Sequence, residues 1–316
     1  MDLRPLGASG LATPRLVLGG NVFGWTAKGE EAFAILDRFA AAGGVMIDTA
    51  DVYSAWVPGH KGGESETLIG EWLRRGAGRR DDILIATKVG MLPGEGGARL
   101  EPARIAAAAE ASLERLGTHI DLYYAHQDDK KTPLADSLAA FDALAKAGKA
   151  RAIGASNYSA ERLAEALAVS EREGLARYEV LQPEYNLMTR ENFEGARQRL
   201  CIDENIGVLP YFGLASGFLT GKYRSADDKA KSIRGDRMEA YLNERGYRVL
   251  AALDDVAAQT GATPAQVALA WLAAQPGVTA PIASATSVEQ LEELIGVLTL
   301  ELSDEQVERL SAASAG

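Results

Sequence analysis

Asp48 and Tyr53 stand five residues apart, directly after the apolar run Val45, Met46, Ile47. A carboxylate at the end of a buried strand is poorly solvated and requires a cation. A phenol, with an ordinary pKa of about 10, acts as an acid near neutrality only where something stabilises its anion. Lys88 ends a second apolar run that begins at Ile83, and His126 ends a third that begins at Ile120. Acid, phenol, amine and imidazole, each at the end of a strand, would be brought together by a barrel. The chemistry open to the set is proton transfer. The alternative is an Asp48–Lys88 pair plugging the barrel, with Tyr53 as a packed aromatic. Buried ion pairs are weak stabilisers, so four polar groups at one mouth favour catalysis.

The elements that must carry these residues alternate along the chain. Leu3–Leu6 and Leu11–Thr13, around Gly7 to Gly10, read as a small hairpin. Short apolar strands are expected at Leu16–Gly19, Val45–Asp48, Ile83–Lys88, Ile120–His126, Ala150–Ala155, Val180–Gln182, Gly207–Tyr211 and Thr279–Ile282. Between them, apolar residues recur at helical spacing. Phe33, Leu36, Phe39 and Ala40 mark a helix over Glu30–Ala42, and Leu68, Ile69, Trp72 and Leu73 one over Glu64–Arg75. Further helices are expected at Pro102–Leu116, Pro133–Ala147, Ala160–Glu173, Asn192–Glu204, about Arg245–Thr260, Pro264–Ala274 and Val288–Val297. Thr132 with Pro133 reads as an N-cap and first helical residue. Thr263 to Gln266 reads as a capping box, and Ser303 to Gln306 caps a terminal helix. Eight strands alternating with helices, with no linker or composition break, predict one α/β domain over residues 1–316. Its architecture would be a (β/α)8 TIM barrel with an N-terminal β-hairpin and an extra C-terminal helix. Long loops after the second and seventh strands, the latter including the polar stretch Arg224–Asn243, are where function is expected.

Bulk properties narrow the partners. The net charge of −11 disfavours a nucleic-acid backbone, so any bound phosphate needs a local site. Cys201 is the only cysteine, which rules out an intrachain disulfide and suits a reducing compartment. It reads as a small buried residue. The first ten residues contain no apolar signal region, and no apolar run is long enough to span a membrane. A cytoplasmic protein with no membrane partner is the expectation. The three histidines, His60, His119 and His126, lack metal-ligand spacing, so no metal is expected. His119 reads as a surface residue; His60 reads equally as a border of the substrate opening or as part of a solvated loop.

Several motifs then fall in one order: Asp48-Thr49-Ala50-x-x-Tyr53, Thr87-Lys88, His126, Gly154-x-Ser156-Asn157, Gln182-Pro183-x-Tyr185-Asn186 and Gly217-x-Leu219-x-Gly221-Lys222. With them the chain resembles the aldo-keto reductase family over nearly its whole length. The resemblance implies an NADP(H)-dependent oxidoreductase that interconverts aldehydes or ketones and alcohols. Tyr53 would donate the proton, with its pKa lowered by the Lys88 ammonium. Asp48 would pair with Lys88 and keep it charged, and His126 would direct the carbonyl oxygen. His126 taken alone also reads as a packed, satisfied histidine. Substrate would enter between Trp25, Tyr53, Trp56 and His126.

No Gly-x-Gly-x-x-Gly turn follows a strand, and Gly221-Lys222 does not complete a P-loop because Tyr223 follows it. The resemblance supplies a different cofactor site. Ser156, Asn157 and Gln182 would reach the nicotinamide carboxamide, and Tyr211 would stack on the ring. Phe212, Gly213, Leu214, Ala215 and Gly217 would wrap the pyrophosphate. Gly20, Asn21 and Asp48 would lie near the nicotinamide ribose, with Ile282 completing the set. Ser284 to Ser287 precede the last barrel helix, where backbone N–H groups make an anion site for the 2′-phosphate. Gln290 would contact the adenine, or else cap the helix with Ser287. Ser284 and Thr286 replace the Gly and Arg of many family members, which leaves NAD(H) open. Lys222 and Arg234 would supply the missing charge, as basic residues do in the branch resembling potassium-channel β subunits. That branch keeps a second reading open: a slow-turnover, cofactor-binding redox sensor or regulatory subunit. Oligomeric state and substrate identity carry no signal.

Overall fold

The computed structural model describes residues 2–315 except 77–79, 95, 96, 98, 226, 227 and 229–234, with only the backbone of 235–237 described. An antiparallel hairpin opens the chain, β1 (Arg4–Pro5) with β2 (Ala12–Thr13), Arg4 facing Thr13. The alternation begins with β3 (Val17–Gly19), α1 (Gly29–Ala41), β4 (Met46–Asp48), α2 (Glu64–Arg74), β5 (Leu84–Val89) and α3 (Pro102–Leu116). It continues with β6 (Ile120–Ala125), α4 (Leu134–Lys146), β7 (Ala150–Ser156), α5 (Ala160–Glu173), β8 (Tyr178–Gln182) and α6 (Ala196–Asp203). It ends with β9 (Gly207–Val208), α7 (Glu244–Thr260), α8 (Pro264–Ala274), β10 (Ile282–Ala283), α9 (Val288–Ile295) and α10 (Asp304–Ser314).

Neighbouring strands run in the order β10-β3-β4-β5-β6-β7-β8-β9, all parallel. The two ends of that sheet meet. Thr279 N donates to Val208 O at 2.9 Å and Ile282 N to Pro210 O at 2.8 Å, which closes the (β/α)8 barrel. The hairpin and the terminal helix lie where the sequence places them.

Strand period explains the interior. Val17, Met46, Ala86, Leu122, Tyr124, Ala152, Val180, Leu209 and Ala280 form one buried cluster inside the barrel. Side chains two residues apart share a face. Two residues beyond Met46, Ala86, Tyr124, Val180 and Leu209 come Asp48, Lys88, His126, Gln182 and Tyr211. The hydrophobic column that fills the barrel therefore delivers these polar side chains to its carboxyl-end mouth. At the other end, Leu6 and Leu11 of the hairpin join the same cluster, and Arg4 Nη1 donates to Ala273 O at 2.7 Å. Gly154 is required by this packing. A Cβ there would lie 2.6 Å from a ring carbon of Tyr124.

A larger cluster fills the space between strands and helices. On α2, Leu68, Ile69 and Trp72 face inward, and Trp72 Nε1 donates to Asp37 Oδ1 at 2.7 Å. Burying side chains of this size contributes about 1.5–3 kcal/mol each. The capping boxes at Thr263 and Ser303 are formed as expected.

Four local expectations are corrected. Thr132 does not cap α4: its hydroxyl donates to Asp129 Oδ2 at 2.7 Å, and Pro133 is itself the non-helical residue before Leu134. Asn192–Glu204 is not one helix. A 3-10 turn over Arg190–Asn192 is separated from α6 by Gly195, at φ 89°. The seventh and eighth strands are shorter than their apolar runs, because only two residues of each pair in register. The helix expected to reach Val297 ends at Ile295 and tightens into a 3-10 turn over Gly296–Leu298.

Candidate active site

Lys88 is fully buried at the end of β5 and is the hub of the mouth. Its Nζ donates to Asp48 Oδ1 at 2.5 Å, to Thr49 O at 2.8 Å and to Tyr53 Oη at 3.3 Å. Burial works to lower the Lys88 pKa, but Asp48 and Tyr53 outweigh it and raise the pKa, so the amine stays charged. The other oxygen of Asp48 accepts from Gln182 Nε2 at 2.8 Å. Asp48, Lys88 and Gln182 are held by three different strands, β4, β5 and β8, and both carboxylate oxygens of Asp48 have a partner.

Tyr53 departs from what the lysine alone suggests. Burial pushes its pKa above the ordinary 10 more strongly than Lys88 pulls it down, and Asp48 adds to the rise. The physical reason is burial first, with Asp48 offsetting part of the field that the ammonium projects onto the phenol. Tyr53 therefore rests as a protonated acid.

His126 stands across the mouth, its ring 6.1 Å from that of Tyr53 at 76°. Burial, helped by the Lys88 charge, holds its pKa well below 6.5, so the imidazole is neutral. Its Nδ1 is buried without a hydrogen-bond partner. A neutral imidazole has one N–H, and a buried nitrogen with no acceptor is better left as the bare one, which puts the proton on Nε2. Trp56 completes the wall, 5.8 Å from the Tyr53 ring and 5.6 Å from Trp25.

The residues expected to hold a dinucleotide are also gathered at this end. Asn157, in the left-handed region at φ 60°, donates from Nδ2 to His126 O at 3.0 Å and to Ser156 Oγ at 3.1 Å. Ser156 Oγ donates to Gln182 O at 2.9 Å, and Tyr211 Oη donates to Asn157 Oδ1 at 2.7 Å. Hydrogen bonds thus connect Tyr211 to Asp48 through β7 and β8. After β9 the backbone turns left-handed at Phe212 (φ 56°), Ala215 (φ 47°), Ser216 (φ 58°) and Gly217 (φ 102°). Non-glycine residues in that region cost about 1–3 kcal/mol each, and such strain clusters where backbone cups a ligand. Gly213 and Leu214 lie within this turn. Lys222 Nζ sits beside it, 3.7 Å from where a Gly217 Cβ would be and 5.1 Å from the Tyr223 ring centroid.

On the opposite side of the mouth, Gly20 N donates to Asp48 O at 2.7 Å, and Ser284 Oγ donates to Asn21 Oδ1 at 2.6 Å just past Ile282. Thr286 donates from both N and Oγ1 to Gln290 Oε1 at 3.0 Å, so Gln290 reaches back to Thr286 and not to Ser287. Ser287 still caps α9 by accepting from Gln290 N at 3.3 Å. A strained concave turn with an adjacent ammonium, and a helix N-terminus flanked by the Thr286 and Ser287 hydroxyls, fit a ligand with two separate phosphate groups. Arg234 lies outside the described residues. Arg224, its neighbour in the polar stretch, is paired with Asp254.

The profile of the Aldo/keto reductase family matches residues 15–315. The chain belongs to that family. Members are oxidoreductases that act on small carbonyl compounds and use NADP(H). The chain is 33% identical to an uncharacterized oxidoreductase, YrpG, of Bacillus subtilis, over 98% of this chain and 95% of that protein. It is 34% identical to the aldo-keto reductase yakc [NADP(+)] of Schizosaccharomyces pombe, over 89% of this chain and 81% of that protein. It is 33% identical to a probable voltage-gated potassium channel subunit beta of Arabidopsis thaliana, over 93% of this chain and 90% of that protein.

Other residues of this aldo/keto reductase also serve the site. Thr49 receives Lys88 through its carbonyl, and its hydroxyl donates to Ser65 Oγ at 2.8 Å. Ser65 in turn donates to Gly20 O at 2.8 Å. Tyr124 forms the floor, its ring centroid 6.0 Å from Lys88 Nζ. Its position two residues before His126 on an inward-facing strand was the available sign. His60 lies 4.0 Å from Glu64 in the loop after Tyr53, and His119 is partly exposed beside Asp121 at the start of β6. Cys201 is buried as expected. Among the described residues, no helix is long and apolar enough to cross a membrane.

Proposed function

We propose that the chain is an NADP(H)-dependent carbonyl reductase or alcohol dehydrogenase, with Asp48, Tyr53, Lys88 and His126 as its catalytic set. The observation that carries the reading is a charged Lys88 bonded at once to Asp48 and Tyr53, opposite a neutral His126. Bound cofactor supplies or accepts the hydride. Tyr53 gives its proton to the carbonyl oxygen as negative charge develops there, and the Lys88 ammonium, 3.3 Å away, steadies the phenolate left behind. His126 donates from Nε2 to the same oxygen and fixes its direction. Trp25 and Trp56 wall the approach, exclude water and receive the substrate's apolar part.

The cofactor would lie from Gly20, Asn21 and Asp48 across Ser156, Asn157 and Gln182 to Tyr211, with its pyrophosphate at Phe212–Gly217. Its 2′-phosphate would meet Ser284, Thr286 and the α9 N-terminus, with Lys222 and Arg234 adding charge and Ile282 and Gln290 completing the contacts. Residues 1–316 would act as one barrel domain in the cytoplasm on small aldehydes, ketones or sugars. A panel of carbonyl and alcohol substrates with NADPH, NADH and their oxidised forms tests the reading. Steady turnover with NADPH supports it, and its absence from pure, folded, cofactor-loaded protein rejects it.

The relatives named as potassium-channel β subunits favour a second reading, a redox sensor that holds its cofactor and turns over slowly. Cofactor release much slower than the chemical step in a single turnover would select it.

A further inference from the structure

The loop from Ser54 to Gly63 carries Trp56, which is 47% exposed yet edge-on to both Tyr53 and Trp25. A half-exposed side chain on a loop needs something to hold its backbone. Glu64, the first residue of α2, turns its carboxylate back into the loop. Oε1 accepts from Lys61 N at 2.8 Å and Gly62 N at 3.3 Å; Oε2 accepts from Gly62 N at 3.0 Å and Ser54 N at 3.3 Å. One carboxylate thus ties the start of the loop to its end. Gly62, at φ 95°, is required for that return, since a Cβ there would lie 2.7 Å from Asp51 O and 2.8 Å from Leu92. Ser54 Oγ also donates to Phe23 O at 2.9 Å, which fastens the loop to the segment that carries Trp25.

We infer that Glu64 is a positioning residue: by clamping both ends of the 54–63 loop it holds Trp56 as a fixed wall beside Tyr53 and biases the site toward planar, ring-bearing carbonyl substrates over short aliphatic ones. The substrate preference rests on the carbonyl-reductase reading above; the clamp does not. A ring gains from the flat faces of Trp56 and Trp25 only if they stay in place, whereas a short chain gains little from either. Glu64 touches the loop backbone and acts on substrate through Trp56.

The test uses the full chain as parent, Glu64→Ala and Glu64→Gln. Amide hydrogen exchange reads the clamp without reference to activity. In Glu64→Ala, the amides of Ser54, Lys61 and Gly62 should exchange faster, while β5 and β6 are unchanged. Glu64→Gln keeps one acceptor oxygen and should lie between parent and alanine. With NADPH, KM for an aromatic aldehyde should rise by about tenfold in Glu64→Ala, with kcat nearly unchanged. KM for a short aliphatic aldehyde and the cofactor Kd should stay within about twofold. Unchanged exchange at the three amides overturns the clamp, and an equal KM rise for both aldehydes overturns the specificity role. Faster exchange in a protein whose parent never turns over supports the clamp and rejects the enzymatic reading.

Discussion

Gln182 donates to the one carboxylate oxygen of Asp48 that Lys88 leaves, at 2.8 Å, across 134 residues of sequence and from β8 to β4. The two sides of the barrel are therefore joined through a single buried carboxylate. Both Asp48 oxygens are thus held, while Gln182 has a second N–H and a carbonyl oxygen besides that bond. Asp48 and Lys88 balance each other's charge, and burial then keeps the phenol from being acidified despite the adjacent lysine.

Removing one partner of a buried pair leaves the other charge uncompensated. Asp48→Asn should destabilise the fold by about 3–5 kcal/mol. It should also reduce activity, because burial then drives Lys88 toward the neutral amine. Urea denaturation of the parent and the variant checks the first part, and substrate turnover the second. A variant as stable as the parent would mean that Lys88 finds another acceptor.

Tyr53→Phe removes the hydroxyl and little else. The loss should fall in kcat, by on the order of 100-fold or more, with cofactor affinity nearly unchanged. Because burial holds the phenol above its ordinary pKa of 10, the reduction rate should stay level through neutral pH and decline only in strongly alkaline solution. A fall between pH 6 and 8 that Tyr53→Phe also shows would assign that titration to another group.

Asp51, three residues from Asp48, should behave in the opposite way. Its carboxyl is pushed up to about 7, by burial first and by Glu66 second, with Arg104 and Arg115 opposing. A carboxyl whose folded pKa lies above its unfolded value of 3.8 costs stability as pH rises from that value through about 7. Asp51 also pairs with Arg104 Nη2 at 3.2 Å, so the stability of Asp51→Asn relative to the parent near pH 4 serves as the reference. Between pH 4 and pH 8 that relative stability should move in favour of the variant by on the order of 1–3 kcal/mol. Thermal melts at the two pH values decide it.

Lys222 sits against the left-handed turn after β9. Lys222→Ala should weaken NADP binding by about tenfold, the loss of one charge-assisted contact. NAD binding should barely change if the ammonium serves the 2′-phosphate. An equal loss for both cofactors would place it on the pyrophosphate that they share. Arg234→Ala, measured in parallel, tests the second candidate.

The barrel was legible because its interior column repeats with period two and because each strand run ends in a residue of distinct chemistry, as Ile83 to Lys88 does. Helix caps written in side chains, such as Thr263 with Gln266, were legible too. Thr132 misled because its hydroxyl had a competing acceptor in Asp129, three residues upstream, that local pattern does not rank. Gly195 gives no local sign of the break, because one glycine within a helical stretch does not announce a φ of 89°. Glu64 carried no signal at all. A glutamate opening a helix is ordinary, and only the folded loop shows that its oxygens turn backward. The raised pKa of Tyr53 is illegible in sequence for a related reason: burial, its largest cause, and the opposing Asp48 charge follow only from the folded arrangement.

The hairpin that plugs the barrel has a consequence for how the chain must be made. Arg4 reaches Thr279 O at 3.2 Å, 275 residues later, and Gly7 packs against Asn205 O and Gly207 N. During synthesis the stopper emerges long before its seat exists. Leu6 and Leu11, both fully or nearly fully buried in the finished protein, stay without cover until β9 and β10 have left the ribosome. Sealing of the base is thus a late event, and its long loop closure slows it further. An arrested or truncated chain would present those leucines and an open sheet edge to solvent, the form in which aggregation and chaperone capture begin.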